Sequence, residues 1–101
     1  MNKERRKAIQ GTIDHLNELE QKMNDLLQDL ENTKDTIDNI LDEEENYRDN
    51  IPENLQDSER YNKADQACDY LSSASNHIEN ILYALDGDFE SATSDLETAM
   101  E

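Results

Sequence analysis

The sequence has few of the residues that break or cross-link a chain. Its 101 residues include two glycines, one proline, one cysteine and no tryptophan. So few turn-forming residues argue against an all-β fold and against an α/β fold with many connections. A single thiol, Cys68, cannot form a disulfide within the chain, so the cysteine content does not indicate an oxidising compartment.

Long apolar runs are also missing. No stretch approaches the roughly 18 apolar residues of a membrane span. The basic segment Lys3–Lys7 is not followed by the apolar core of a secretory signal. We therefore expect the protein in the cytoplasm.

Basic residues are scarce, with nine Lys and Arg against 26 Asp and Glu, a net charge of −17. Five of the nine bases lie within residues 3–22, and none follows Lys63. A chain of this charge is repelled by nucleic acids and anionic membranes, and it is attracted to basic surfaces. The hydrophobic fraction of 34% and the charge alone would permit disorder. The regular spacing of the apolar residues argues against it.

In the first half of the chain, apolar residues recur with a period of 3.5 residues, which is typical of a coiled-coil helix. With Ile9 as heptad position a, the stripe comprises the a residues Ile9, Leu16, Met23, Leu30 and Ile37, and the d residues Leu19, Leu26, Ile40 and Tyr47. Residues at position e widen the stripe, namely Ile13, Leu27 and Leu41. This pattern predicts one helix over residues 3–48.

The pattern stops near Pro52, which removes a backbone donor and disfavours a helical conformation at Ile51. We expect a turn over residues 49–58, with Ile51 and Leu55 folded back onto the helix ends. Ser58 is a candidate N-cap for a second helix over residues 59–100.

The second half repeats the heptad. One position holds Ala64, Leu71, Ile78, Leu85, Ala92 and Ala99, another holds Ala67, Ala74 and Ile81, and Cys68, Leu82, Phe89 and Leu96 widen the stripe. Gly87 either ends a helix, leaving a short third helix over 88–100, or is tolerated within one helix. Because the period continues across it, the pattern favours one continuous or slightly kinked helix.

Two matched stripes joined by one turn predict a single all-α domain over residues 1–101, an antiparallel helical hairpin resembling a coiled coil. Two helices build only a thin core, and chains this small often gain stability by self-association. We therefore expect a homodimer that forms a four-helix bundle.

A row of carboxylates follows one face of the first helix in steps of three and four residues. It consists of Asp35, Asp38, Asp42, Glu45 and Asp49. Like charges at these spacings mildly destabilise a helix, and few Lys residues are interspersed to offset them. The row matches a nucleic-acid backbone in its dense negative charge, so it is a candidate binding site for a basic protein surface.

No catalytic, cofactor or metal site is predicted. His15 and His77 flank the apolar stripe without the further ligands that zinc requires. The segment from Asp86 to Glu97 places acids as in a calcium loop, but Ser91 occupies the position where that loop requires glycine. A two-helix hairpin also offers no concave pocket for an enzyme.

The segment 43–82 resembles small uncharacterised acidic helical proteins of Gram-positive bacteria and their phages. The resemblance lies in the turn, at Asp49, Asn50, Pro52, Glu53, Leu55, Gln56, Ser58, Glu59 and Arg60. It implies a helical hairpin and the cytoplasm of a bacterial host cell, and it carries no activity. In charge and size the chain is also similar to phage proteins that mimic DNA, including some anti-CRISPR proteins.

Two functions follow as hypotheses. In the first, the protein is a non-enzymatic inhibitor encoded by a phage or prophage, and its carboxylate row occupies the basic surface of a nuclease or another nucleic-acid-binding complex. In the second, it is a structural or assembly protein whose acids confer solubility. Its interface would then lie at the turn, around Leu55 and Tyr61.

Overall fold

A computed structural model describes residues 2–85 and 87–101, and all regular structure within them is helical. In chain order the elements are α1 (Lys3–Asp49), a short 3₁₀ helix (Glu53–Leu55), α2 (Glu59–Leu85) and α3 (Asp88–Met100). The all-α prediction is confirmed. Asp86, the first residue of the calcium-like segment, lies outside the described residues.

The turn between α1 and α2 is fixed at both ends by local hydrogen bonds. Ile51 donates its backbone N–H to the carbonyl of Arg48 at 3.1 Å, and its side chain is buried. At the start of α2, the backbone N–H of Tyr61 donates to the Ser58 hydroxyl at 3.2 Å, so Ser58 is the N-cap. The expectation for Leu55 was wrong, because its side chain remains 48% exposed.

α2 and α3 are separate helices, which corrects the preference for one continuous helix over residues 59–100. Gly87 has φ of +110° and precedes the first residue of α3. Glycine adopts this left-handed region without steric cost, whereas a helix interior requires negative φ. The backbone at Gly87 therefore breaks the helix although the apolar spacing continues through it.

The buried stripe of α1 is rotated from the expected one. Residues at positions a and e turn inward along the helix, and Ile13 at position e is buried. Three large d residues remain exposed, Leu26 by 50%, Ile40 by 45% and Tyr47 by 42%. The seam thus follows a and e rather than a and d, and the d residues lie to one side of it.

The chain divides into two compact units. One, called here the terminal unit, combines the chain up to Gln28 with the residues from Ala84 onward. The other, the hairpin unit, is Asp29–Tyr83. Each has its own helix pairing.

In the terminal unit, α3 packs against the first part of α1. Phe89 and Leu85 line a small cavity of about 100 Å³ together with Met23 and Leu27 of α1. The half-buried face of α3 is Phe89, Thr93, Leu96 and Met100. Phe89 and Leu96 thus lie in the stripe as expected, whereas Ala92 and Ala99, also expected in it, are exposed.

In the hairpin unit, α1 and α2 run antiparallel. Asp38 lies level with Ser75, and Arg48 lies level with Asp65, as their hydrogen bonds show. The hydrophobic core is thin, with Ile51, Ala64 and Cys68 buried. Among the described residues of the whole chain, no side chain is fully buried.

Candidate functional site

The hairpin unit has two different sides, one on either side of the seam. With Ala64 as position a of α2, positions b and f of both helices lie on one side, because Asp38 at position b of α1 contacts Ser75 of α2 and Asp65 at position b of α2 contacts Arg48 of α1. Position d of both helices lies on the other side, where Tyr47 of α1 contacts Arg60 of α2.

The first side, called the acidic side, carries nine carboxylates from both helices. They are Glu31, Asp35, Asp38, Asp42, Glu45 and Asp49 of α1 and Asp65, Asp69 and Glu79 of α2. Two cations at position e of α1, Lys34 and Arg48, lie between the rows. The acidic side is therefore strongly negative.

Asp38 holds the middle of the acidic side together. Its Oδ1 accepts a hydrogen bond from the hydroxyl of Ser75 at 2.6 Å, and its Oδ2 pairs with the Lys34 ammonium at 3.0 Å. The Ser75 hydrogen bond, followed by the Lys34 hydrogen bond, lowers the pKa of Asp38 below its ordinary value. In return, the hydrogen bond to Asp38 raises the pKa of Lys34, with smaller contributions from Glu79 and Asp35.

Arg48 links the helices nearer the turn. Its Nη1 donates to Asp65 at 3.0 Å and its Nε donates to Asp49 at 3.1 Å. The pKa of Arg48 is raised, mainly by the hydrogen bond to Asp49, so the side chain stays charged. Burial raises the pKa of the nearby Cys68 thiol, although the charge of Arg48 opposes this effect. Cys68 therefore lies in the seam as a thiol rather than as a thiolate.

The five carboxylates predicted from the sequence differ in their availability. Asp35 and Asp42 are exposed, and Glu45 is half-buried. Asp38 and Asp49 are engaged by Ser75, Lys34 and Arg48 within the unit. The structure thus brings the five residues to one side. Asp35 and Asp42 are exposed there, whereas Asp49 is exposed but paired with Arg48.

Sequence reasoning missed the contribution of α2. Asp65 and Glu79 share position b, and Asp69 follows Asp65 by one helical turn. The signal was present in their spacing, but using it requires the register between α1 and α2. That register depends on the number of residues in the turn between α1 and α2.

The second side, called the apolar side, carries Ile40 and Tyr47 of α1 and Ala67, Ala74 and Ile81 of α2. Ile40, Tyr47 and Ile81 are 42–45% exposed, and the alanines are half-buried. Next to the turn, the guanidinium of Arg60 lies 5.1 Å from the centre of the Tyr47 ring and donates to its hydroxyl. An open cleft there is also lined by Glu44 and Lys63.

The alternative interface at the turn is only partly accessible. Leu55 is 48% exposed within the 3₁₀ helix, whereas Tyr61 is half-buried. Leu55 is therefore the accessible apolar residue of this pair.

Metal ligands are not clustered in the described part of the chain, where no group of three or more His, Cys, Asp or Glu side chains could hold a metal ion. His15 is exposed, with its Nδ1 3.9 Å from Glu18, and His77 is exposed on α2. None of the described helices combines the length and the apolar character needed to cross a membrane.

No protein-family model, curated protein or solved structure matches this chain.

Proposed function

We propose that the protein is a non-enzymatic binding protein whose acidic side occupies a basic surface of another protein. The observation that supports this proposal is the convergence of nine carboxylates from two helices on one side of the hairpin unit, where only Lys34 and Arg48 face them. Charge of one sign on a rigid surface attracts and orients a partner of opposite charge.

The partner class we propose is a protein that binds nucleic acids, such as a nuclease. Two parallel rows of carboxylates on paired helices offer dense, fixed negative charge, as the phosphates of a duplex do. A basic groove that accepts phosphates could accept these carboxylates instead. The protein would then act as a DNA mimic and inhibitor, and not by binding nucleic acid itself.

The resemblance of the turn to proteins of Gram-positive bacteria and their phages supports a phage or prophage origin and a site of action in the host cytoplasm. We further propose that the protein acts as a homodimer, since its core is thin and none of its described side chains is fully buried.

Capture from a bacterial lysate tests the function. The tagged wild-type protein is compared with a variant carrying Asp35→Asn, Asp42→Asn and Asp69→Asn, three exposed acids of the acidic side. Asp38 is left unchanged because its bond to Ser75 links the helices. We expect the wild-type protein to retain a nucleic-acid-binding protein and the variant to lose most of it.

A matched control removes the same charge elsewhere. The substitutions Asp14→Asn, Asp25→Asn and Asp95→Asn affect exposed acids of the terminal unit. This variant should retain the partner. Equal capture by all three proteins would show that the acidic side serves only solubility.

A structural or assembly function is the competing proposal, and the exposure of Leu55 favours it. In that case Leu55→Ala, alone or with Tyr61→Ala, would disrupt association, while the triple Asn variant would associate normally. Capture of only the same chain or of virion components would favour assembly over inhibition.

A further inference from the structure

The apolar side of the hairpin unit leaves large apolar side chains exposed. Ile40, Tyr47 and Ile81 each expose more than two fifths of their area, and Ala67 and Ala74 on the same side are half-buried. Apolar residues that lie together and exposed typically mark an interaction surface.

The exposed area of the chain is large enough to supply an interface. The chain exposes 7660 Å² at a mass of 11.7 kDa. A stable interface needs about 800 Å² from each partner, which is about a tenth of this area.

The distribution of charge indicates which kind of partner can cover the apolar side. Asp29–Tyr83 contains fifteen Asp and Glu against four Lys and Arg, a net charge of −11. Two of the four bases, Arg60 and Lys63, lie at the cleft on the apolar side together with Glu44 and Glu59. Charge at this cleft is balanced, so a second acidic chain meets less repulsion here than on the acidic side.

We propose that a second copy of this chain covers the apolar side, with the two turns at the same end and α1 of each copy opposite α2 of the other. This inference rests on the proposed homodimer and is independent of what the acidic side binds. It leaves both acidic sides facing outward and available.

Side-chain size supports this orientation. Because Asp38 is level with Ser75 and Arg48 with Asp65, Ile40 lies level with Ala74 and Tyr47 lies level with Ala67. With α1 opposite α2 of the second copy, each large residue meets an alanine. With α1 opposite α1 instead, the two turns would lie at opposite ends, and the large residues of α1 would meet each other while the alanines of α2 met alanines, leaving a clash beside a void.

Sedimentation of the full chain tests the surface. We expect the wild-type protein to be dimeric and its dimer to tighten as salt rises, because salt screens the repulsion between two chains of −17 each. Ile40→Gln with Ile81→Gln should raise the dimer dissociation constant at least about tenfold. Both residues are exposed, so circular dichroism should show unchanged helix content.

Leu55→Gln with Tyr83→Gln is the matched control, since both residues are large, apolar, exposed and outside the apolar side. This variant should dimerise as the wild-type protein does. A wild-type chain that is monomeric at every concentration and salt would overturn the homodimer and this inference together. Unchanged dimerisation of the Ile40 and Ile81 variant would overturn the surface alone.

Disulfide trapping tests the orientation in a Cys68→Ala background. Chains with Ile40→Cys are mixed with chains carrying Ala74→Cys and then oxidised. We expect cross-linked pairs in the mixture and few from Ile40→Cys chains alone. Efficient cross-linking of Ile40→Cys chains to each other would overturn the proposed orientation. Lysate capture reports on the acidic side separately, so either proposal can fail without the other.

Discussion

Ser75 is a buried polar residue in a seam made mostly of apolar side chains. Its hydroxyl is satisfied by Asp38 across the hairpin, at 2.6 Å. A hydrogen bond to a charged acceptor is stronger than one between neutral groups, and a buried hydroxyl without a partner is costly. The pair therefore fixes the register of α1 against α2 as well as stabilising their contact.

Removing the Ser75 hydroxyl should change how Asp38 titrates. Asp38 has a pKa below its ordinary value of 3.8, chiefly because of Ser75. Its contribution to stability is thus present above the unfolded pKa and is lost as pH falls through the lower folded pKa. Ser75→Ala should raise the pKa of Asp38 and reduce stability near neutral pH.

Carboxyl-detected NMR titration of Asp38 measures this shift, and urea unfolding near neutral pH measures the loss of stability. Ser73→Ala, an exposed neighbour on the outer face of α2, is the control and should change neither. An unchanged Asp38 titration in Ser75→Ala would show that Ser75 does not hold the carboxylate in solution.

Two apolar residues of the same turn should respond differently to truncation. Ile51 is 4% exposed and Leu55 is 48% exposed. Ile51→Ala removes buried methyl groups and leaves a cavity, so it should cost about 2–4 kcal/mol of unfolding free energy. Leu55→Ala should cost less than about 1 kcal/mol. Chemical denaturation of both variants measures these losses of unfolding free energy. Equal losses for the two variants would contradict the burial of Ile51.

At the scale of the helices, the sequence predicted the all-α class because heptad spacing and the scarcity of glycine and proline point the same way. It did not predict the rotation of the seam from a and d to a and e. Residues such as Leu26 and Ile40 are as apolar as Ile13 and Leu27, so composition alone does not order the two candidate faces. The partner helix decides which face is covered.

The break between α2 and α3 was also misjudged, because the apolar period continues across it. The decisive property is the backbone angle at Gly87, which the period of apolar residues does not report. A glycine is needed there for its conformation, while the other glycine, Gly11, lies inside α1 and has no such role.

The two glycines should therefore respond to alanine with opposite signs. A Cβ at either position meets nothing within 4 Å, so only the backbone matters. Gly11→Ala should stabilise α1 by about 1 kcal/mol, because alanine favours the helix. Gly87→Ala should destabilise the protein by about 1 kcal/mol or more, because alanine is strained at φ of +110°. Thermal unfolding of both variants provides the measurement, and stabilisation by Gly87→Ala would argue against the left-handed conformation.

At the scale of the whole molecule, the sequence predicted the part of the candidate site that lies on α1 but not the part on α2. The α1 row was visible as carboxylates in steps of three and four, but Asp65 and Glu79 join it only once the hairpin register is set. The hydrogen bond between Asp38 and Ser75 could not be predicted, because the two residues lie 37 positions apart in the sequence. Long-range pairing of this kind depends on the turn geometry.

Binding through the acidic side should weaken steeply with salt. The range of attraction between exposed charges falls from about 10 Å at 0.1 M to about 3 Å at 1 M ionic strength. A partner captured at low salt should therefore elute as salt is raised. If the partner binds DNA and this protein in the same groove, duplex DNA added at constant ionic strength should also release the partner. Retention at high salt would indicate an apolar interface instead.

Cys68 gives the hairpin a built-in reporter of its own motion. It is the single cysteine of the chain, and its side chain is buried between α1 and α2. A thiol reagent can reach it only while the helices are separated, so the labelling rate measures how often the hairpin opens. Each 1.4 kcal/mol of opening free energy slows labelling about tenfold. Local unfolding of the hairpin can therefore be measured on the unmodified protein, with and without a bound partner.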